Sequence, residues 1–254
     1  MSVLISVKTT LDQWRAQMTT VQREQIPFAA AVALNDCAEI AQLNIRDDEK
    51  RVFDRPTPYT LDSTYVRRAS KQNLQASIEI KDEAFKANPA AKWLAPEVFG
   101  GDRPMKKFEL ALKRIGIVPS GLYCVPGSAA TLDAYGNMSR GQIVQIMSWF
   151  QAFGQQGYSA NMTAATKARR TRTTARKYGV AYFALLSKRG KLRPGIYQRV
   201  ELAHGSAVRP VIEFVRAPVY RPRLSFYQQV ERTVNERFPE RFARAVQAAL
   251  ATAK

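Results

Sequence analysis

Six cations crowd into one short stretch, Lys167, Arg169, Arg170, Arg172, Arg176 and Lys177, and four more, Lys188, Arg189, Lys191 and Arg193, follow around Gly190. Threonine and alanine fill the gaps between the first six, so nothing large and apolar interrupts the charge. Side chains of this kind neutralise phosphates without demanding a base sequence. Tyr178 and Tyr182 lie close enough in the chain to add stacking, although core packing is an equal use for Tyr182. No helix-turn-helix, zinc-finger or RRM signature accompanies them, which argues against reading of bases. An acidic partner subunit, or plain solvent, would suit the same ten residues: DNA- or partner-contacting is the role the sequence assigns them.

Other chemistry is harder to build. The chain has one histidine, His204, beside Gly205. A histidine-based triad would have to use it, and no GxSxG element is present. Two cysteines, Cys37 and Cys124, stand far apart and read as buried thiols in a reducing compartment. No Cys/His cluster offers a zinc site, and neither a Walker loop nor GxGxxG occurs. Gly100-Gly101-Asp102-Arg103 supports a tight turn, but a phosphate cradle needs a helix N-terminus directly behind it. Adjacent carboxylates, Asp47-Asp48 and Asp82-Glu83, read as exposed charge. A nuclease with scattered metal-binding carboxylates leaves no signature and stays open as a lesser alternative. The expectation is a protein without catalytic residues, metal or cofactor.

The charge is uneven. Lys and Arg total 39 against 21 Asp and Glu, a formal net charge of +18. From Asn161 to Arg223 fifteen basic residues face only Glu201 and Glu213, so +13 of the excess sits there. A localised field points to nucleic acid, an acidic protein or an anionic membrane surface. At 254 residues and 46% apolar content the chain can bury a substantial core. The start has no basic region followed by a long apolar run, and no stretch approaches the ~20 apolar residues of a membrane span. A soluble protein made in a cytoplasm is expected.

The elements that must position the cations follow from periodicity. Val3 to Val7 reads as a short strand. Leu11, Trp14, Met18 and Val21 share a helical face after an N-cap at Thr10. Pro27 then opens a second helix, or a kinked continuation, to about Arg46, with Phe28, Val32, Ile40 and Leu43 as its apolar side and the alanines allowing close packing. Asp47 to Arg51 ends it in a charged turn. Thr60–Arg68 and Leu74–Lys81 alternate as a hairpin connected by 69–73, with Leu74, Ala76, Ile78 and Ile80 on one face. Residues 84–104 read as irregular, and Met105–Ile115 as a short helix stopped at Gly116. Pro119–Asn137 is loop-rich, and Ser139 caps a helix with Ile143, Ile146, Met147 and Phe150 on one side. Residues 159–177 read as a loop, or as a helix that needs a partner. Val180–Leu186, Gly195–Ala203 and Val208–Arg216 are three strands separated by turns at 188–191 and 204–206. Ser225 caps a last helix with Tyr227, Val230, Val234 and Phe238 as its stripe, continued by Phe242, Val246 and Leu250 past a kink at Pro239. The fold class is α+β: N-terminal helices, a central antiparallel sheet and a C-terminal amphipathic helix. One domain, 1–254, is expected.

Several of these stretches resemble phage proteins. Arg55-Pro-Thr-Pro-Tyr59 leading to Leu74-Gln-Ala-Ser-Ile78 is similar to the opening of phage head–tail joining and minor tail proteins, including the lambda minor tail protein Z type. Pro126 to Gln142 and Leu192-Arg-Pro-Gly-Ile-Tyr-Gln-Arg199 resemble stretches of prophage-encoded members of that group. So does Pro218 to Lys254, with its Pro-Tyr-Arg entry, aromatic pair and Ala-rich end. The chain is longer than that type, which makes 81–116 and 159–177 candidate insertions. The resemblance implies a non-enzymatic virion protein, assembled in the bacterial host cytoplasm as a homo-oligomeric ring with neighbouring neck or tail proteins. It would help complete a tail or join it to a head, with non-specific contact to genomic DNA. The alternatives are a non-specific nucleic-acid-binding protein acting alone, and a peripheral part that touches anionic lipid.

Overall fold

In a computed structural model of the chain, the described residues are 2–6, 20–83, 89–154, 160–172, 179–202 and 205–252, with side chains from residue 23 onward in the first helix. The expected helical face around Leu11, Trp14 and Met18 lies outside them, as do Arg176, Lys177, Tyr178 and His204. The fold is α+β. Where the sequence suggests one domain, the chain gathers into two compact units: residues 1–101 with 220–254, and residues 102–219. It passes between them at two short strands, β4 (Gly101–Asp102) and β9 (Val219–Tyr220).

The first unit is built on a 33-residue helix, α1 (Thr20–Val52). It runs through Pro27, so the continuous alternative holds. Its buried side is not the expected one. Phe28 and Leu43 are 46% and 59% exposed, while Ala29, Ala33, Leu34, Cys37, Ala38, Ala41 and Ile45 are fully buried. The helix has two apolar faces, and the small residues are turned inward. Alanine costs nothing in helix propensity and lets neighbouring backbones approach closely. What approaches is the C-terminal helix α7 (Phe226–Thr252) and a sheet with strand order β1 (Ser2–Ser6), β3 (Gln75–Ile80), β2 (Thr64–Arg67), antiparallel throughout. The short helix α2 (Pro58–Leu61) precedes β2. Ala76, Ile78 and Ile80 are buried on one face of β3, with Leu74 packed beside them, as their alternation predicts. Phe226, Leu224 and Val230 complete this core.

Two expectations in this unit are corrected. Asp47–Arg51 does not end the helix in an exposed turn: α1 continues to Val52, and Asp48 and Glu49 are buried. Asp48 accepts hydrogen bonds from Arg51 and from the Ser225 backbone N–H (3.2 Å), tying the end of α1 to the start of α7. The irregular stretch contains a helix, α3 (Ala91–Phe99), around Pro96. Its Glu97 takes a two-pronged bond from Arg223 at 2.8 and 2.9 Å, a pairing between distant residues that local pattern does not reveal.

The second unit is a four-stranded antiparallel sheet of order β5 (Leu122–Pro126), β8 (Gly205–Arg216), β7 (Gly195–Leu202), β6 (Val180–Leu185). The three strands expected at its C-terminal end are all present. One face is covered by α4 (Lys107–Arg114) and α5 (Arg140–Trp149), through Leu112, Ile146 and Trp149 against Cys124, Tyr182, Ile196, Ile212 and Phe214. Ser139 caps α5 as expected, accepting from Gln142 N–H at 3.2 Å. The stretch 160–172, expected as a loop or partner-dependent helix, carries a helix, α6 (Ala164–Thr171). No helix among the described residues is long and apolar enough to cross a membrane.

Candidate nucleic-acid interface

Charge divides sharply between the units. Residues 102–219 hold 19 basic and 5 acidic side chains, a net +14 of the chain's +18. The candidate cations sit in this unit, and the fold sorts them by role.

Helix α6 begins at Thr163, whose hydroxyl accepts the Thr166 N–H at 3.2 Å. None of its side chains is buried. Thr166, Lys167, Arg170 and Thr171 are half-buried and form the inner side. In place of an apolar stripe, this side carries a cation–aromatic contact: Lys167 Nζ stands 5.6 Å from the Trp149 ring centroid. Burial raises the Tyr182 phenol above its usual range, and the Arg170 charge pulls against that rise. Trp149 and Tyr182 meet edge to face at 5.8 Å, so Lys167 rests on one ring of an aromatic pair. Arg169 and Arg172 point outward and are exposed. Cations in the last turn also answer the negative end of the helix dipole. The end of α6 is pinned to the sheet at Gly179, where a Cβ would fall 1.9 Å from the Thr171 carbonyl oxygen.

The second group lies on the β6–β7 turn. Arg189 and Leu192 exchange backbone hydrogen bonds at 3.0 Å, and Gly190 supplies the positive φ (59°) that closes the turn. Lys188, Arg189, Lys191 and Arg193 are all exposed around it. The Arg193 carbonyl accepts the Tyr197 hydroxyl at 2.8 Å, which fixes the turn to the sheet. Among the described residues, neither group forms a salt bridge.

The ten residues are therefore not one cluster. Arg176 and Lys177 lie outside the described residues. Two, Lys167 and Arg170, are half-buried on the inner side of α6, Lys167 over the Trp149 ring. The others form two exposed sets at opposite ends of β6, whose six residues at about 3.3 Å each separate them by about 20 Å. Phosphates on one strand of a duplex recur about every 3.4 Å, so one polyanion can touch both sets.

Sequence reasoning misses a cation on the sheet itself. On the face opposite Tyr182, the Arg199 guanidinium lies 5.8 Å from the Phe183 ring, which stacks on Tyr197 at 5.6 Å. Only strand register reveals this, since it sets Phe183 opposite Tyr197.

The buried carboxylates have structural partners. Glu109 is fully buried. It accepts from Arg103 at 2.6 and 2.9 Å, from the Cys124 N–H at 2.9 Å and from the Lys106 N–H at 2.5 Å. Burial alone would raise its carboxyl, but these donors hold it below the usual range. Its carboxylate thus occupies the N-terminus of α4, the place a phosphate would need behind Gly100–Arg103. Cys37 and Cys124 are buried free thiols, and burial pushes Cys124 up to about 12. No family model matches the chain, and neither a curated protein nor a solved structure matches it at a significant level.

Proposed function

We infer that the protein is a non-enzymatic structural component of a phage or prophage particle. In this reading it assembles as a ring at the head–tail junction or tail end, and the basic surface of its second unit lies against DNA. The single observation that carries the DNA contact is the pair of exposed cation sets, Arg169 with Arg172 and the turn Lys188–Arg193, held at the two ends of β6 in a unit of net charge +14. Rigid placement on a helix and a hairpin suits contact to phosphates without reading of bases. The particle role rests on the resemblance of 55–59, 126–142, 192–199 and 218–254 to head–tail joining and minor tail proteins.

Electron microscopy of the purified protein, alone and with duplex DNA, tests the reading. Closed rings with DNA through the lumen support it. The second reading, a nucleic-acid-binding protein acting alone, is favoured by the confinement of the charge to one unit. It would show a monomer or dimer that shifts DNA of any sequence with a steep salt dependence and forms no ring.

A further inference from the structure

The two edges of the four-stranded sheet are treated differently. In β5 the pairing of Gly127 N–H with the Val211 carbonyl sets the alternation, so Leu122, Cys124 and Pro126 direct their backbone groups away from β8. That edge is closed. Leu122 N–H goes to the Pro119 carbonyl (3.2 Å), Cys124 N–H goes to Glu109, the Cys124 carbonyl takes Arg103 (3.3 Å), and Pro126 has no N–H. In the other unit, the Thr64 carbonyl on edge strand β2 is likewise capped by Gln42 at 2.9 Å.

At the β6 edge α6 packs beside the strand, but among the described residues no other element hydrogen-bonds its outward backbone groups. The bond from Glu201 N–H to the Gly179 carbonyl (3.0 Å) fixes the alternation, so Val180, Tyr182 and Ala184 turn both N–H and C=O away from β7. The strand, Val-Ala-Tyr-Phe-Ala-Leu, contains no lysine, proline or other device that blunts an edge. Its ends are flanked by the exposed cations Arg169 and Arg172 on one side and Lys188, Arg189 and Lys191 on the other.

We propose that β6 accepts an extended, acid-flanked segment of another protein as a fifth strand. An incoming strand supplies alternating donors and acceptors, as β-augmentation requires. A nucleic acid backbone offers phosphate acceptors but no donors for the outward carbonyls, so it fits this edge poorly. A second copy of the chain fits poorly for another reason. Antiparallel self-pairing with Tyr182 opposite Tyr182 would bring two α6 helices together on the same face, each with Lys167, Arg169, Arg170 and Arg172. Acids at both ends of the guest strand would meet the cations that remain exposed. The edge geometry supports the strand addition itself, while the acid flanks use the cations that the proposed function sets against DNA, so the guest strand and DNA would compete for them.

The test uses the full chain and two short peptides of alternating valine and threonine, one with glutamates at both ends and one with lysines. Backbone amide exchange is followed by NMR, and binding by fluorescence anisotropy. The glutamate peptide is expected to protect the amides of Val180, Tyr182 and Ala184, and to bind roughly tenfold or more tightly than the lysine peptide. Ala184→Pro removes an outward N–H without touching the ladder to β7, and it should abolish the protection. Should that variant fail to fold, the exposed triple variant Lys188→Glu, Arg189→Glu, Lys191→Glu leaves the strand intact and should weaken the glutamate peptide by a similar factor. Equal affinity for the two peptides would overturn the proposal, as would unprotected edge amides. Protection that grows with protein concentration alone, or that appears with duplex DNA in place of peptide, would assign the edge to a second copy or to nucleic acid and overturn it equally.

Discussion

Glu49 and Glu109 are both buried carboxylates, yet their surroundings drive them in opposite directions. Around Glu49 burial dominates, and the single Ser63 hydroxyl at 3.1 Å does not offset it, so its carboxyl rises from 4.5 to about 7. A raised folded-state value means that the folded protein holds the proton more tightly than the unfolded chain. Its contribution is therefore full below 4.5 and lost as pH climbs through about 7. Glu109 is held low, so its contribution is present above the unfolded value and lost on acidification. We predict that Glu49→Gln flattens the fall in melting temperature between about pH 5 and about pH 8, with a gain on the order of 2–3 kcal/mol at the alkaline end. A melting series in which wild type and variant decline in parallel would remove Glu49 as the cause. Arg103→Ala should cost about 3–5 kcal/mol in chemical denaturation, because it strands a fully buried carboxylate and frees the β5 edge. A loss within surface-substitution range would show that the backbone donors alone satisfy Glu109.

At the level of elements, periodicity tells helices from strands well and inner faces less well. The hairpin of β2 and β3, the cap at Ser139 and the three strands of the second unit are legible because turn residues and a two-residue period mark them locally. The inner face of α1 is not. Phe28 and Leu43 outweigh alanines on any hydrophobicity scale, and only the demand for close helix approach turns the alanines inward. Helix α6 is legible only as one of two options, since Lys167 over Trp149 stands where an apolar stripe would have marked its inner side. In α7 the stripe is legible, but its depth is not. Phe226 is fully buried, whereas Phe238 and Phe242 are half-buried and stack on each other at 5.6 Å. Phe226→Ala should therefore cost about 3–5 kcal/mol and Phe242→Ala only about 1–2, read from urea midpoints. Equal losses would mean that Phe242 is covered by something beyond this chain, as a neighbouring subunit would do.

For the whole molecule, the division of charge is legible in outline: the excess between Asn161 and Arg223 falls almost entirely in the second unit. What the sequence conceals is that the ten candidate cations do not act alike. Arg169 and Arg172 are exposed, Lys167 and Arg170 are half-buried on the inner side of α6, and the turn from Lys188 to Arg193 stands about 20 Å away along β6. If the exposed sets, and not the half-buried pair, meet DNA phosphates, the salt dependence of binding must report it. That dependence is to be measured on duplexes of unrelated sequence, for wild type and for the variant with Arg169, Arg172, Lys188, Arg189, Lys191 and Arg193 replaced by glutamine. The expected result is an unchanged melting temperature, weaker binding to every duplex alike, and a log–log salt slope flatter by about 0.9 for each phosphate no longer neutralised. An unchanged slope in a variant that remains folded would contradict the assignment of these cations to DNA.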